Sequence, residues 1–341
     1  MKKLLFVFTL MWSSASLAEA LRNLEIVVDG ISYPDLKTAQ KHIVDNSIIY
    51  LGPGEFTTGL VISKNHVTLS GSEGTKFSKA SIGGKATFIT SGNDITIENI
   101  ECSGVTVSSE NGSCIRHEGK NLTLSNVYFH DSQEGILEAK NDGRLTIKYS
   151  RFERLGYKGR AHGIYANGSE LLIENSVFES MVGEGHAIKS RSKTTIVQHS
   201  VISSGQGNDS RLFDISNAGE LHISNSILYQ NNHTVNRQAI GYGLEYLDEN
   251  VSNKITIVNN LIVLERSNGN QFLATPKNMS NQVITLIDNN IFVGEFSDKK
   301  LWSSGNYIYK NRHDAMLKDS ALPDISSLPN LFMLHQNHHA Q

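Results

Sequence analysis

No segment of this sequence is apolar for long enough to cross a bilayer. The most apolar run, Leu4 to Trp12, is far shorter than the roughly 20 residues that a spanning helix needs, so an integral membrane protein is not expected. A large charge of one sign is also lacking: 31 Lys and Arg stand against 34 Asp and Glu, a net charge of -3, with no long basic block. Nothing in that balance supports general binding to nucleic acid or to an anionic membrane. Cysteine is scarce, with Cys102 and Cys114 as the two present. An even pair in an oxidising compartment fits a disulfide, and two buried free thiols would read the same. Tryptophan occurs at Trp12 and Trp302 alone. That leaves little material for the exposed aromatic strip of a non-catalytic carbohydrate binder.

What is present begins with Lys2 and Lys3, the apolar run, and a small-residue stretch ending in Ala18-Glu19-Ala20. This is the layout of an export signal, with cleavage expected after Ala20. Residues 1–20 therefore read as a signal peptide, and the mature chain as a soluble monomer in the periplasm or outside the cell.

The strongest pattern is a repeat. Ile95-Thr96-Ile97-Glu98-Asn99, Leu122-Thr123-Leu124-Ser125-Asn126, Leu145-Thr146-Ile147-Lys148-Tyr149 and Leu172-Ile173-Glu174-Asn175 align, as do Thr195-Ile196-Val197-Gln198-His199, Leu221-His222-Ile223-Ser224-Asn225, Ile255-Thr256-Ile257-Val258-Asn259 and Ile284-Thr285-Leu286-Ile287-Asp288. Each reads as a strand of alternating apolar and polar residues. The motif recurs at intervals of about two dozen residues and then at longer ones, which describes coils that stack and share one core. One set of residues points inward and the other forms an external parallel sheet. Asn at equivalent corners could hydrogen-bond along the stack and satisfy the turns. Apolar spacing over residues 34–44, with Asp35 near the start, predicts a capping helix at the open end. The expectation is an all-β, right-handed parallel β-helix solenoid with an N-terminal capping helix over residues 21–297, and a cap or loose tail over 298–341.

Ile48 to Leu51, then Gly52-Pro53-Gly54-Glu55-Phe56, then Val67-Thr68-Leu69-Ser70-Gly71 give a strand, a Pro-Gly turn and a strand ending in Gly. With these residues the chain resembles the pectate-lyase-like β-helix superfamily over residues 48–292. The resemblance implies the fold, and it implies a shallow groove on an outer sheet where an extended polysaccharide would lie.

Within that frame four consecutive coils carry unusual residues. Counting sixteen residues back from the matching positions Phe178 and Ile202 places His162 over His186, Tyr165 over Lys189 and Asn167 over Arg191. A turn longer by one residue sets Asp214 beside Lys189, and Arg116 falls in the same outward column. Lys189, Arg191, Tyr165, Asp214, His162 and His186 are the candidate catalytic residues. Arg116, Asn167, Tyr242 and Glu245 are candidate substrate contacts, the last two by extension of the groove one coil further.

A basic cluster of this kind fits β-elimination on a uronate-containing chain. Such a reaction needs a cation on the substrate carboxylate and a base within about 3 Å of the adjacent proton. Arg191, with Arg116 as a second candidate, could hold the carboxylate, because a guanidinium matches it with two parallel bonds. Lys189 or one of the histidines could be the base, Tyr165 could protonate the leaving oxygen, and Asp214 could orient Lys189 or a histidine. In character the cluster is similar to the exopolysaccharide lyases of biofilm matrices. Calcium is left open, since a hard cation wants six to eight oxygens and few carboxylates are on offer. No third ligand converges on the His pair to make a transition-metal site. A glycoside hydrolase would need two carboxyl groups flanking the bond. Gly185-His186-Ala187 stands where β-helix polygalacturonases carry Gly-His-Gly, and the Asp run of those enzymes is missing. A uronate epimerase and a carbohydrate-binding solenoid remain the alternatives.

Overall fold

The computed structural model describes residues 24–247, 251–267, 269–277, 283–298, 305–318 and 321–339; the expected export signal lies outside them. Short segments with period-two alternation cannot bury an apolar face alone, and here they do so by stacking. Among the described residues the strands form sheets of 12, 11 and 9 members, and within the solenoid each sheet takes every third strand of the chain. One coil thus contributes one strand to each sheet. All coil-to-coil pairs are parallel, as between Leu122–Ser125 and Arg144–Lys148. The antiparallel exceptions lie at the N-terminus, where Ile26–Val28 pairs with Ile31–Ser32 and with Ile48–Leu51. The result is a parallel β-solenoid of about nine coils.

Register fills the interior with columns of like residues. In the second sheet Phe129, Phe152 and Phe178 lie in one column, their rings 5.4 and 4.5 Å apart. In the third sheet Ile115, Ile136, Ile164, Ile188, Phe213 and Ile240 form another, all fully buried. The first sheet keeps the alignment read from the sequence, even in two coils where neighbouring residues could exchange faces. Leu172 and Ile196 pair with Thr146 and His222 on the outer side, while Leu171 and Thr195 take the inward positions. Adjacent apolar residues allow either phase, and the neighbouring coil decides between them.

The corner after each first-sheet strand divides its work between two residues. Asn99, Asn126, Asn175, Asn225, Asn259 and Asn289 adopt left-handed backbone with φ between 49° and 60°, a region that Asn tolerates better than most residues. The next residue is the buried one. Ser176, Ser200 and Ser226 each accept from the backbone N–H of the matching buried residue one coil earlier at 3.1 Å, and Asn260 and Asn290 continue the ladder at 2.9 and 3.0 Å. Side-chain bonds between corner Asn residues also form, Asn126 to Asn99 at 2.8 Å and Asn289 to Asn259 at 2.7 Å. Tyr149 and His199 interrupt that outer row.

The helix at the open end is shorter than the sequence pattern, Leu36–Gln40, capped by Asp35. It buries Leu36 and Ala39, and the Gln40 side chain accepts from the Val61 N–H at 2.8 Å, which satisfies part of the third sheet's first strand. At the other terminus the helix Leu328–His339 packs Leu328, Leu331 and Phe332 onto the outer face of the second sheet, against Ile227, Leu261, Val263 and Ile291. That packing accounts for strands such as Leu261–Leu264 that are apolar on both faces.

The corner ladder should be worth more to stability than the exposed Asn row. Asn260→Leu leaves the Ser226 N–H and two carbonyls without their side-chain partner and should cost about 3 kcal/mol. Asn126→Gly keeps the left-handed corner and should stay within about 1 kcal/mol. Urea unfolding midpoints of the two variants compare these costs, and equal shifts would refute the division of labour.

Candidate functional site

The third sheet builds the site because its strand starts bend. At Gly163 a side chain would meet the Ala187 carbonyl at 2.3 Å, so glycine lets the His162 coil lie close on the next. The strands Ile164–Ala166, Ile188–Ser190, Phe213–Ile215 and Gln238–Tyr242 then stack in register. Their outward column runs Tyr165, Lys189, Asp214, Gly241.

Lys189 is 8% exposed and donates to Asp214 Oδ2 at 2.7 Å and to Glu245 Oε1 at 2.5 Å. Arg191 donates from Nε to the Tyr165 hydroxyl at 2.6 Å, from Nη1 to Asn217 at 2.7 Å and from Nη2 to Glu245 Oε2. Asp214, 2% exposed, also accepts from Ser216 Oγ at 2.9 Å and from Arg211 Nη1 at 3.2 Å. Burial pushes its carboxyl up, but His186 and Lys189 outweigh that and leave it below the usual carboxylate range. Glu245 behaves alike: burial raises it, and bonds to Lys189 and Arg191 bring it below the ordinary value. Arg191 is lowered by burial and raised further by Glu245 and Tyr165, so its charge is secure.

His162 and His186 stack with ring centres 5.0 Å apart. His162 Nδ1 accepts from the His186 N–H at 3.1 Å, and His186 Nδ1 from the Arg211 N–H at 3.2 Å. Each ring therefore presents Nε2–H, and His186 Nε2 lies 3.7 Å from Asp214. Burial holds His162 well below its ordinary value and His186 at about 4. Both are neutral donors at neutral pH, so neither is the base that the sequence offered as an option. Glu134, fully buried in the strand beside His162, is pushed well above the usual range by burial.

Tyr165, Lys189, Arg191, Asp214 and Glu245 thus form one bonded group with the His pair at its edge. Other candidates lie elsewhere. Arg116 stands in the outward column, but Leu137 separates it from Tyr165, and it sits 3.4 Å from Glu118. Asn167 is anchored through its N–H to Glu138 at 2.7 Å, in the coil next to Arg191. Tyr242 is corrected outright. It pairs with Ile215 in the inward column, is fully buried, and donates its hydroxyl to the Gly219 carbonyl at 2.5 Å, so it cannot touch a ligand in the groove. The long insertion before residue 255 had obscured that register.

Arg211 and Gln238 were overlooked. They lie two residues before the inward Phe213 and Ile240, as His162 and His186 do before Ile164 and Ile188, and the same count would have found them. Arg211 donates to Gln238 at 2.6 Å, and Gly241 leaves room, since a side chain there would meet Arg211 Nε at 3.0 Å. Cys102 and Cys114 are disulfide-bonded with Cα atoms 6.0 Å apart, tying the second sheet to the third. No group of three or more metal-ligating side chains converges among the described residues.

Residues 58–208 match a family model described as a right-handed beta helix region. The fold is a right-handed parallel β-helix. No curated protein matches the sequence. Among solved structures this β-helix is similar to ORF18 of Geobacillus virus E2, at 17% identity and a TM-score of 0.51, covering 78% of this chain and 52% of that one. A mutant of the PL6 family alginate lyase AlyGC also matches, at 12% identity and a TM-score of 0.37, covering 82% and 53% of the two chains. The chain spans about half the length of each. At these identities the likeness concerns the fold.

The buried imidazoles make stability depend on pH. Their values lie below the ordinary 6.5, so between about pH 6.5 and 4 the unfolded chain binds protons that the folded chain does not. Their contribution to stability is therefore complete above that window and is lost as pH drops through it, by a few kcal/mol, while the buried carboxyls Glu134 and Asp209, raised by burial, act in the opposite sense. Urea unfolding of wild type and His186→Asn at about pH 7 and pH 4.5 isolates the imidazole's share: the change on acidification should be less favourable in wild type than in the variant.

Proposed function

We propose that this β-helix is an exported polysaccharide lyase that cleaves an acidic, uronate-containing chain by β-elimination. The observation that carries the reading is the two-point hold of Lys189 and Arg191 on the Glu245 carboxylate. The cations stand on the outer face of a solenoid sheet, where a groove suits an extended chain. Arg191 receives the uronate carboxylate, and its charge stabilises the negative charge that develops when the neighbouring proton leaves. Lys189, a cation while Asp214 and Glu245 both hold it, gives up a proton to solvent once Glu245 is displaced, and as the neutral amine it takes the substrate's proton. Asp214 fixes Lys189 in place, and Arg211 on the other Asp214 oxygen balances the carboxylate. Tyr165, whose oxygen already accepts from Arg191 Nε, is left with its own proton to give to the leaving oxygen. The C–O bond breaks as a carbon-carbon double bond forms beside the carboxylate, so the new chain end is unsaturated.

Hydrolysis fits less well. Asp214 and Glu245 both bond to Lys189, and both are held below the usual carboxylate range, so neither supplies the protonated acid that a hydrolase requires. Among the described residues the carboxylates of this site are Asp214 and Glu245, and both already serve the cations.

The test is absorbance near 235 nm while the purified protein acts on a panel of acidic exopolysaccharides, with and without chelator. The expected result is a rise that falls by at least about a hundredfold in Lys189→Ala and Arg191→Ala, matching loss of a transition-state contact. New reducing ends without that rise would replace elimination by hydrolysis. An altered uronate configuration with the chain intact would mark an epimerase.

A further inference from the structure

We infer that Glu245 is a built-in stand-in for the substrate carboxylate: its side chain closes the free site, and a ligand opens it by placing its own carboxylate on Lys189 and Arg191. The inference rests on the reading of Arg191 as the cation that holds the substrate carboxylate, with Lys189, protonated in the free site, as its second point of contact.

Glu245 is not a register neighbour of either cation. Lys189 pairs with Asp214, and Asp214 pairs with Gly241, so Glu245 reaches back from the turn after the strand Gln238–Tyr242, two coils away. The turn reverses at Gly243, with φ 64°, and is pinned by the Gly243 N–H to the Ile215 carbonyl at 2.8 Å and the Tyr246 N–H to the Ser216 carbonyl at 3.1 Å. The backbone is thus anchored while the side chain spans the groove.

The two carboxylates on Lys189 differ in depth. The Asp214 side chain is 3% exposed and cannot leave without stranding a charge, whereas that of Glu245 is 44% exposed. Exposed ion pairs are weak, so Glu245 is the partner that can be exchanged. Its removal uncovers one Lys189 hydrogen and one Arg191 Nη2–H, both aimed at the groove and both already matched to a pair of carboxylate oxygens.

A neutral sugar cannot repay the two bonds that Glu245 gives up, and a uronate can. Glu245 therefore acts as a specificity-determining residue. It excludes neutral chains by competition, and it weakens acidic ones in proportion to the fraction of time it covers the cations.

The test titrates wild type and Glu245→Gln with sodium glucuronate and with its methyl ester, following the Arg191 Nε–H resonance. Glutamine keeps the length and removes the charge. Glucuronate should bind the variant about tenfold more tightly than wild type, a closed fraction near nine-tenths. Adding Lys189→Ala to the variant should abolish the gain, and the ester should bind to neither protein. Equal affinity in the two proteins, weaker binding in the variant, or no glucuronate binding to the variant overturns the inference. Tightened binding with no elimination on any polymer keeps Glu245 as the stand-in and removes the lyase reading; elimination with equal affinities does the reverse.

Discussion

Parallel, in-register pairing between coils is the constraint on which everything else in this protein depends. Each strand finds its backbone partners in the coil before and the coil after, and neighbouring strands lie about 4.8 Å apart. A side chain's place is then given by its column and its coil. Phenylalanine stacks on phenylalanine inside, and on the outer face of the third sheet Tyr165, Lys189 and Asp214 become neighbours although 24 and 25 residues separate them in the chain. A slip of one residue would turn all of them into the core.

That constraint also made much of the molecule readable in advance. The solenoid, its coil length and its three-way division follow from periodicity, because an inward apolar column and an outward polar one repeat at fixed offsets. The neighbours of Lys189 could be counted for the same reason, wherever two coils have equal length between a corner and the next strand. Reading stopped where lengths change. Tyr242 looks like a groove aromatic until the pairing of Ile215 sets its phase. Glu245 reaches the cations through a turn, and turns have no period. The burial of Leu261 and Val263 on the outer face depends on a helix some 65 residues later.

The electrostatics of the site follow a gradient of depth. Asp214 at the bottom is saturated with donors from Lys189, Arg211 and Ser216, and such a buried carboxylate is tolerable only when fully bonded. It fixes Lys189 from below. Arg191 is fixed by Tyr165 and Asn217 in the same way. Two flexible cations are thereby ordered before any ligand arrives, which lowers the entropy that binding must overcome. The neutral His pair adds donors at the margin without adding charge.

The change from serine to asparagine along the corner ladder has a mechanical side. Ser150, Ser176, Ser200 and Ser226 turn their hydroxyl protons back onto their own strand, so each is joined to the preceding coil by one side-chain bond. Asn260 and Asn290 send their amide groups into the preceding coil as well, to the carbonyls of Ile223 and Ile257. The C-terminal coils, whose intervals are longer and less regular, are therefore double-stitched, while the regular middle is single-stitched. A pull along the solenoid axis would meet a seam of uneven strength, and the weaker thread runs beneath the coils that carry Tyr165, Lys189 and Asp214.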